Sequence, residues 1–143
     1  MVAMGIDKEK LMIQLGRLQD HIKELEEVKS QMNGKKQQKD IFISAGERHL
    51  QLAIEDCLNI GNHIISAKGF KRADTYKEVF IILKDEKIIP EKLGEAMIRL
   101  ASFRNRLVHL YWEVTQEEII EKLSDTDIFR KYAKEILEFV KQK

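Results

Sequence analysis

Between Glu95 and Glu113 the chain carries Arg99, Arg104, Arg106 and His109 and not one carboxylate. A histidine titrates close to neutrality and can take up or release a proton at the pH of a cell. A guanidinium stays cationic and presents a planar fork of N–H donors that matches a phosphoryl oxyanion. These residue types in one segment suit the gripping of a phosphate and the transfer of a proton beside it. By charge pattern alone, the plainer account is a helix whose arginines reach solvent or acidic neighbours. Elsewhere acids and bases are interleaved, with 25 Lys plus Arg against 24 Asp plus Glu and a net charge of +1 over 143 residues. That balance argues against wholesale neutralisation of a nucleic acid and leaves room only for local binding.

The order of residues narrows the choice. Arg104-Asn105-Arg106-Leu107-Val108-His109-Leu110-Tyr111 resembles the Arg-polar-x-x-x-His-x-Tyr signature of the HepT-like toxins, a branch of the HEPN superfamily of small helical ribonucleases. The resemblance runs from about Glu47 to Val114, including Glu47-Arg48-His49-Leu50-Gln51-Leu52-Ala53-Ile54-Glu55-Asp56 and Thr75-Tyr76-Lys77-Glu78-Val79-Phe80. The residues before and after it match in character only.

The resemblance implies a metal-independent endoribonuclease, the toxin of a toxin–antitoxin pair, active as a homodimer whose two motifs face one cleft. In that reading His109 takes the proton of a ribose 2′-OH, and Arg104 stabilises the charge that builds on the phosphoryl oxygens. Asn105 orients the histidine or the scissile phosphate. Arg99 and Arg106 hold flanking phosphates, contacts that add affinity without sequence information. Dependence on a 2′-OH selects RNA rather than DNA. By the same resemblance, Tyr111 is the site at which a minimal nucleotidyltransferase of the MntA kind, the antitoxin, attaches AMP. Bulky anionic adenylates there would compete for the positive charge of the cleft. Without the motif, Tyr111 reads as an amphipathic side chain at a bundle edge. A reading from another class is a non-catalytic nucleotide- or RNA-binding accessory subunit of a nucleotidyltransferase, and a purely structural helical adaptor is a third.

The helix that should carry the motif poses a geometric problem. Arg104 and Tyr111 are seven apart and share a face of a continuous helix, whereas His109, five from Arg104, points about 140° away. Bringing Arg104 and His109 together requires either a distorted helix between Asn105 and His109 or two copies meeting across an interface. Phe103, Leu107, Leu110 and Trp112 supply apolar surface for packing within one chain or between two.

The remaining elements are those needed to hold this segment. Leu11, Leu15, Leu18, Ile22, Leu25, Val28 and Met32 recur three or four apart, which predicts one helix from Asp7, its cap, to Asn33-Gly34. After the polar connector Lys35–Lys39, the pattern of Ile43, Leu50, Ala53, Ile54, Cys57, Ile60, Ile64 and Ile65 predicts a second long helix ending at Lys68-Gly69. Thr75-Tyr76-Lys77-Glu78 and Thr115-Gln116-Glu117-Glu118 are capping boxes that open short helices. Pro90, the only proline, starts the motif helix, and a last helix begins near Asp127. The expected fold is all-α, an HEPN-like up-and-down antiparallel bundle of four main helices plus one or two short ones, with residues 1–143 forming a single domain.

Other chemistries find little support. His21, His49, His63 and His109 form no metal-binding spacing, and no cofactor or metal is expected. Arg48, Gln51 and Glu55 share one face of the second helix and fit either a cleft lining or an exposed i,i+4 network. Lys68, Lys71 and Arg72 form a small basic turn, most simply solvated. The lone Cys57 on an apolar stripe reads as a buried hydrophobe and cannot form an internal disulfide. The absence of a long uncharged apolar stretch, or of a leader-like start, points to a cytoplasmic protein without a membrane segment.

Overall fold

The structure is a computed structural model that describes residues 5–34 and 39–141. Among these residues there are six α-helices and a single 3₁₀ turn: α1 (Lys8–Gly34), α2 (Lys39–Ala67), α3 (Tyr76–Asp85), α4 (Glu91–His109), the turn Tyr111–Glu113, α5 (Gln116–Ser124) and α6 (Asp127–Lys141). Helices α1, α2, α4 and α6 are long and α3 and α5 short, as expected. Most of the expected connector, residues 35–38, lies outside the described residues, and α2 already includes Lys39.

The two longest helices form an antiparallel hairpin. Its rungs are polar pairs: His63 with Asp7 and Gln14 near one end, His21 with Asp56 midway, and His49 with Glu24 beyond. Asp7 caps α1, its Oδ1 accepting the Lys10 N–H at 3.1 Å. At the far end of α2, Gly69 has φ +69°, a left-handed conformation that costs glycine little. Gly69 N–H donates to the Ser66 carbonyl and Phe70 N–H to the Ile65 carbonyl, which closes the helix in a Schellman motif.

Helix α2 is central and touches α1, α3, α4, α5 and α6. One continuous apolar core runs from Leu11 to Val140. Helix α6 illustrates how the pattern builds it: Phe129, Tyr132, Ile136 and Val140 fall on one stripe and are buried, each worth about 1.5–3 kcal/mol relative to an exposed position. Gly61 lets α2 and α3 approach, since a Cβ there would meet Val79 Cγ1 at 2.5 Å. The Tyr132 hydroxyl, fully buried, donates to the Cys57 carbonyl at 2.8 Å. Among the described residues, no helix is long and apolar enough to cross a membrane.

Candidate nuclease site

Helix α4 is regular from Glu91 to His109, so the bundle does not resolve the motif geometry by distorting the helix. The helix stops at His109. Leu110 leaves it at φ −134° and ψ 41°, and Tyr111 enters the 3₁₀ turn, so Tyr111 does not share a helical face with Arg104 as a continuous helix would require. Arg106 ties that exit down: its Nη2 reaches the Glu113 carbonyl, and its guanidinium grips Glu118 on α5.

Arg104 projects toward α2. Its Nε and Nη2 donate to Glu55 Oε2 at 3.1 and 2.7 Å, while its guanidinium carbon lies 4.7 Å from the centre of the Tyr76 ring. Gln51 donates to the same Glu55 oxygen at 3.0 Å. Burial raises the Glu55 carboxyl, but the hydrogen bonds from Gln51 and Arg104 and the charges of Arg104 and Arg48 outweigh it, leaving it below the usual carboxylate value. Of the α2 face singled out above, Gln51 and Glu55 therefore belong to the arginine. Neither the Glu55 nor the Tyr76 contact is visible as a spacing, because each joins separate helices.

Arg106 points elsewhere. It grips both oxygens of Glu118, at 2.7 and 2.9 Å, and its Nη2 also reaches the Glu113 carbonyl at 3.2 Å. Glu118 at the same time completes a capping box with Thr115. One carboxylate thus caps α5 and fastens it to α4. The other expected box is only half formed: Thr75 Oγ1 accepts the Glu78 N–H at 3.2 Å, but the Glu78 carboxylate returns to the Asp74 N–H at 2.9 Å instead of that of Thr75.

Arg99 is exposed on α4, with no ion pair among the described residues. Asn105 and His109, one turn apart, line a surface groove of about 510 Å³ whose other wall is the α2–α3 connection and Asn62. His109 is exposed at its rim. Beyond it, Leu110, Tyr111 and Trp112 are exposed by 40%, 67% and 68%, an apolar and aromatic cluster with no cover, whereas Phe103 and Leu107 are buried in the core. Of the apolar residues expected to serve packing or an interface, two are thus internal and two face outward.

The other histidines are structural in their contacts. His21 Nδ1 lies 2.5 Å from Asp56, and His63 accepts the Asp7 N–H while its Nδ1–H donates to Gln14. Among the described residues, no three His, Cys, Asp or Glu side chains converge on a point that could hold a metal.

The sequence model of the family described as Ribonuclease HepT-like matches residues 18–142. The chain belongs to the HepT-like ribonuclease family. The match is wider than the Glu47–Val114 segment, taking in most of α1 and all of α5 and α6. Among curated proteins, the chain is 28% identical over 116 residues to the tRNA nuclease HepT of Aphanizomenon flos-aquae (strain 2012/KM1/D3), covering 77% of this chain and 73% of that protein. It is 34% identical over 74 residues to the putative RNase YutE of Bacillus subtilis (strain 168), covering 52% and 51% of the two. The solved structure of YutE, described as a cytosolic protein, superposes with a TM-score of 0.80 at 23% identity over 96% of this chain and 92% of that one. A tri-AMPylated HEPN toxin of Shewanella oneidensis, in complex with its MNT antitoxin, superposes with a TM-score of 0.81 at 19% identity, over 90% and 96%. At these identities the superpositions establish the HEPN fold.

Proposed function

We propose that this protein is a metal-independent endoribonuclease, the toxin of a toxin–antitoxin pair, working in the cytoplasm as a homodimer in which residues 1–143 fold as one domain in each subunit. The observation that carries the reading is the arrangement of α4: an exposed histidine at its last turn and an arginine held from two sides, in a chain of the HepT-like family. His109 takes the proton of the 2′-OH, whose oxygen attacks phosphorus. The bond to the 5′-oxygen breaks, that oxygen gains a proton, and a 2′,3′-cyclic phosphate remains. Arg104 stabilises the pentavalent charge, Asn105 orients His109 or the scissile phosphate, and Arg99 holds a flanking phosphate. Arg106 would join it only by exchanging Glu118 for phosphate.

Because α4 stays regular, Arg104 and His109 of one chain diverge, which favours a cleft completed by a second copy. The uncovered Leu110, Tyr111 and Trp112 offer apolar surface for that contact or for an antitoxin. Tyr111, exposed beside the site, is the acceptor for AMP from a minimal nucleotidyltransferase of the MntA kind; its oxygen attacks the α-phosphate of ATP and pyrophosphate leaves.

The test is purified protein with RNA in excess chelator. A 2′,3′-cyclic phosphate product, lost on His109→Ala and on Arg104→Ala with the oligomeric state unchanged, is expected. RNA that is bound but left whole would establish the non-catalytic accessory subunit instead.

A further inference from the structure

The groove beside His109 has a lining unlike a phosphate track. Its volume of about 510 Å³ lies within the range of small-molecule sites, roughly 300–1,000 Å³. Its one cationic wall residue, Arg106, has both terminal nitrogens engaged by Glu118 and the Glu113 carbonyl. Its remaining polar side chains include the amides of Asn62 and Asn105 and the carboxylate of Asp74, which repels a phosphate. Tyr76, 41% exposed, gives it an aromatic wall, and Leu110 an apolar edge. A flat, neutral ring with a hydrogen-bonding edge fits such walls. In single-stranded RNA that ring is a base, stacked on an aromatic side chain and read along its Watson–Crick edge.

We infer that this groove is a nucleobase subsite, seating the nucleotide whose 2′-OH meets His109, and that it selects a base with an exocyclic amino group, guanine above all. The inference rests on the ribonuclease reading and adds a specificity to it. A carboxylate only accepts hydrogen bonds, and guanine offers it two adjacent donors, N1–H and the N2 amino group, where uracil offers a single N3–H. The amide of Asn62 both donates and accepts, so it can serve the O6 edge of the same base. The wall that carries Asp74 and Tyr76 is pinned: the Schellman turn at Gly69 ends α2, Thr75 caps α3, and the Glu78 carboxylate holds the Asp74 N–H at 2.9 Å. A preset wall is what base selection requires, since a mobile one would adapt to any base.

Two measurements on the intact chain test this. The first is cleavage, in chelator, of RNA oligomers that differ only in G, A, C or U on the 5′ side of one cleaved bond. Cleavage after G is expected to exceed that after U by roughly tenfold in kcat/KM, and Asp74→Asn and Asn62→Ala should each bring the ratio toward one. A ratio near one in the wild type, or one that neither variant alters, overturns the subsite and leaves the ribonuclease reading intact. The second is independent of turnover: titration with 3′-GMP and 3′-UMP, followed by the ¹⁵N side-chain amide signals of Asn62 and Asn105. Tighter binding of 3′-GMP, lost in Asp74→Asn, supports the subsite even if no RNA is cut, an outcome that would sink the ribonuclease reading alone. Equal shifts with both nucleotides, or none at these amides, overturn it.

Discussion

Arg104 on α4 donates two hydrogen bonds to one oxygen of Glu55 on α2, at 3.1 and 2.7 Å, under the ring of Tyr76. These bonds use the Nε and Nη2 edge of the guanidinium, so the Nη1 side is the part that can meet a phosphate. Gln51 fixes the same carboxylate oxygen, so three side chains determine where that free side points.

Glu55 is accordingly a positioning residue for Arg104. Glu55→Ala should cost about 2 kcal/mol of stability in urea denaturation, the scale of hydrogen bonds to a charged group. Glu55→Gln, which keeps an acceptor but not the charge, should lower kcat for RNA cleavage about tenfold with KM less affected, and Glu55→Asp should recover part of it. A Gln variant with wild-type kcat would show that Arg104 finds its place unaided.

His109→Ala should abolish cleavage, a loss of at least roughly 10²-fold. Because His109 is exposed, stability should move by no more than about 0.5 kcal/mol. Tm and single-turnover rates on the same preparation separate the two effects.

The two other arginines should part company. Arg99→Ala is expected to weaken RNA binding and to reduce the salt dependence of the binding constant by about one phosphate contact, with Tm unchanged. Arg106→Ala should lower Tm, because it releases Glu118 and with it the anchorage of α5. Equal effects of both substitutions on binding and none on Tm would show that Arg106 serves RNA first.

Acid should loosen the bundle in two windows. Burial and the charge of Lys10 depress the His63 pKa against the opposing charge of Asp7, and its Nε2 accepts the Asp7 N–H only while unprotonated. A histidine with a lowered folded pKa contributes in full above its unfolded value, about 6.5, and loses that contribution as pH falls through the folded one. Glu55, held below the usual carboxylate value, keeps its contribution above about 4.5 and loses it at lower pH. Tm measured from pH 8 to 3 should show both declines, with His63→Gln removing the first and Glu55→Gln reducing the second, to which Glu26 and Glu118, also held below the usual carboxylate value, contribute as well.

Cys57 is fully buried on α2, and burial pushes its thiol pKa well up. Thiol reagents should leave the native protein unlabelled and react stoichiometrically once it is denatured. Tyr132→Phe, which leaves the Cys57 carbonyl without its hydroxyl donor, should cost about 1 kcal/mol.

The sequence by itself determined the helices, their order and the family. Each rests on interactions within a few residues: the three-or-four spacing from Leu11 to Met32, Asp7 bonding Lys10, Thr115 exchanging bonds with Glu118, and the Arg104-to-Tyr111 signature. Spacing also predicted that Arg104 and His109 diverge on a regular helix, and α4 is regular. It left open whether the helix reaches Tyr111, because a 3.6-residue period says nothing about where a helix stops when the stop is a contact with another element, and α4 ends at His109. Only the tertiary structure decided that Glu55 and Tyr76 take Arg104, that Glu118 takes Arg106, and that Asn62 and Asp74 stand opposite Asn105. Such pairings depend on how helices far apart in the chain are rotated against one another, and that rotation is set by the burial of the whole core from Leu11 to Val140 and by no single local pattern.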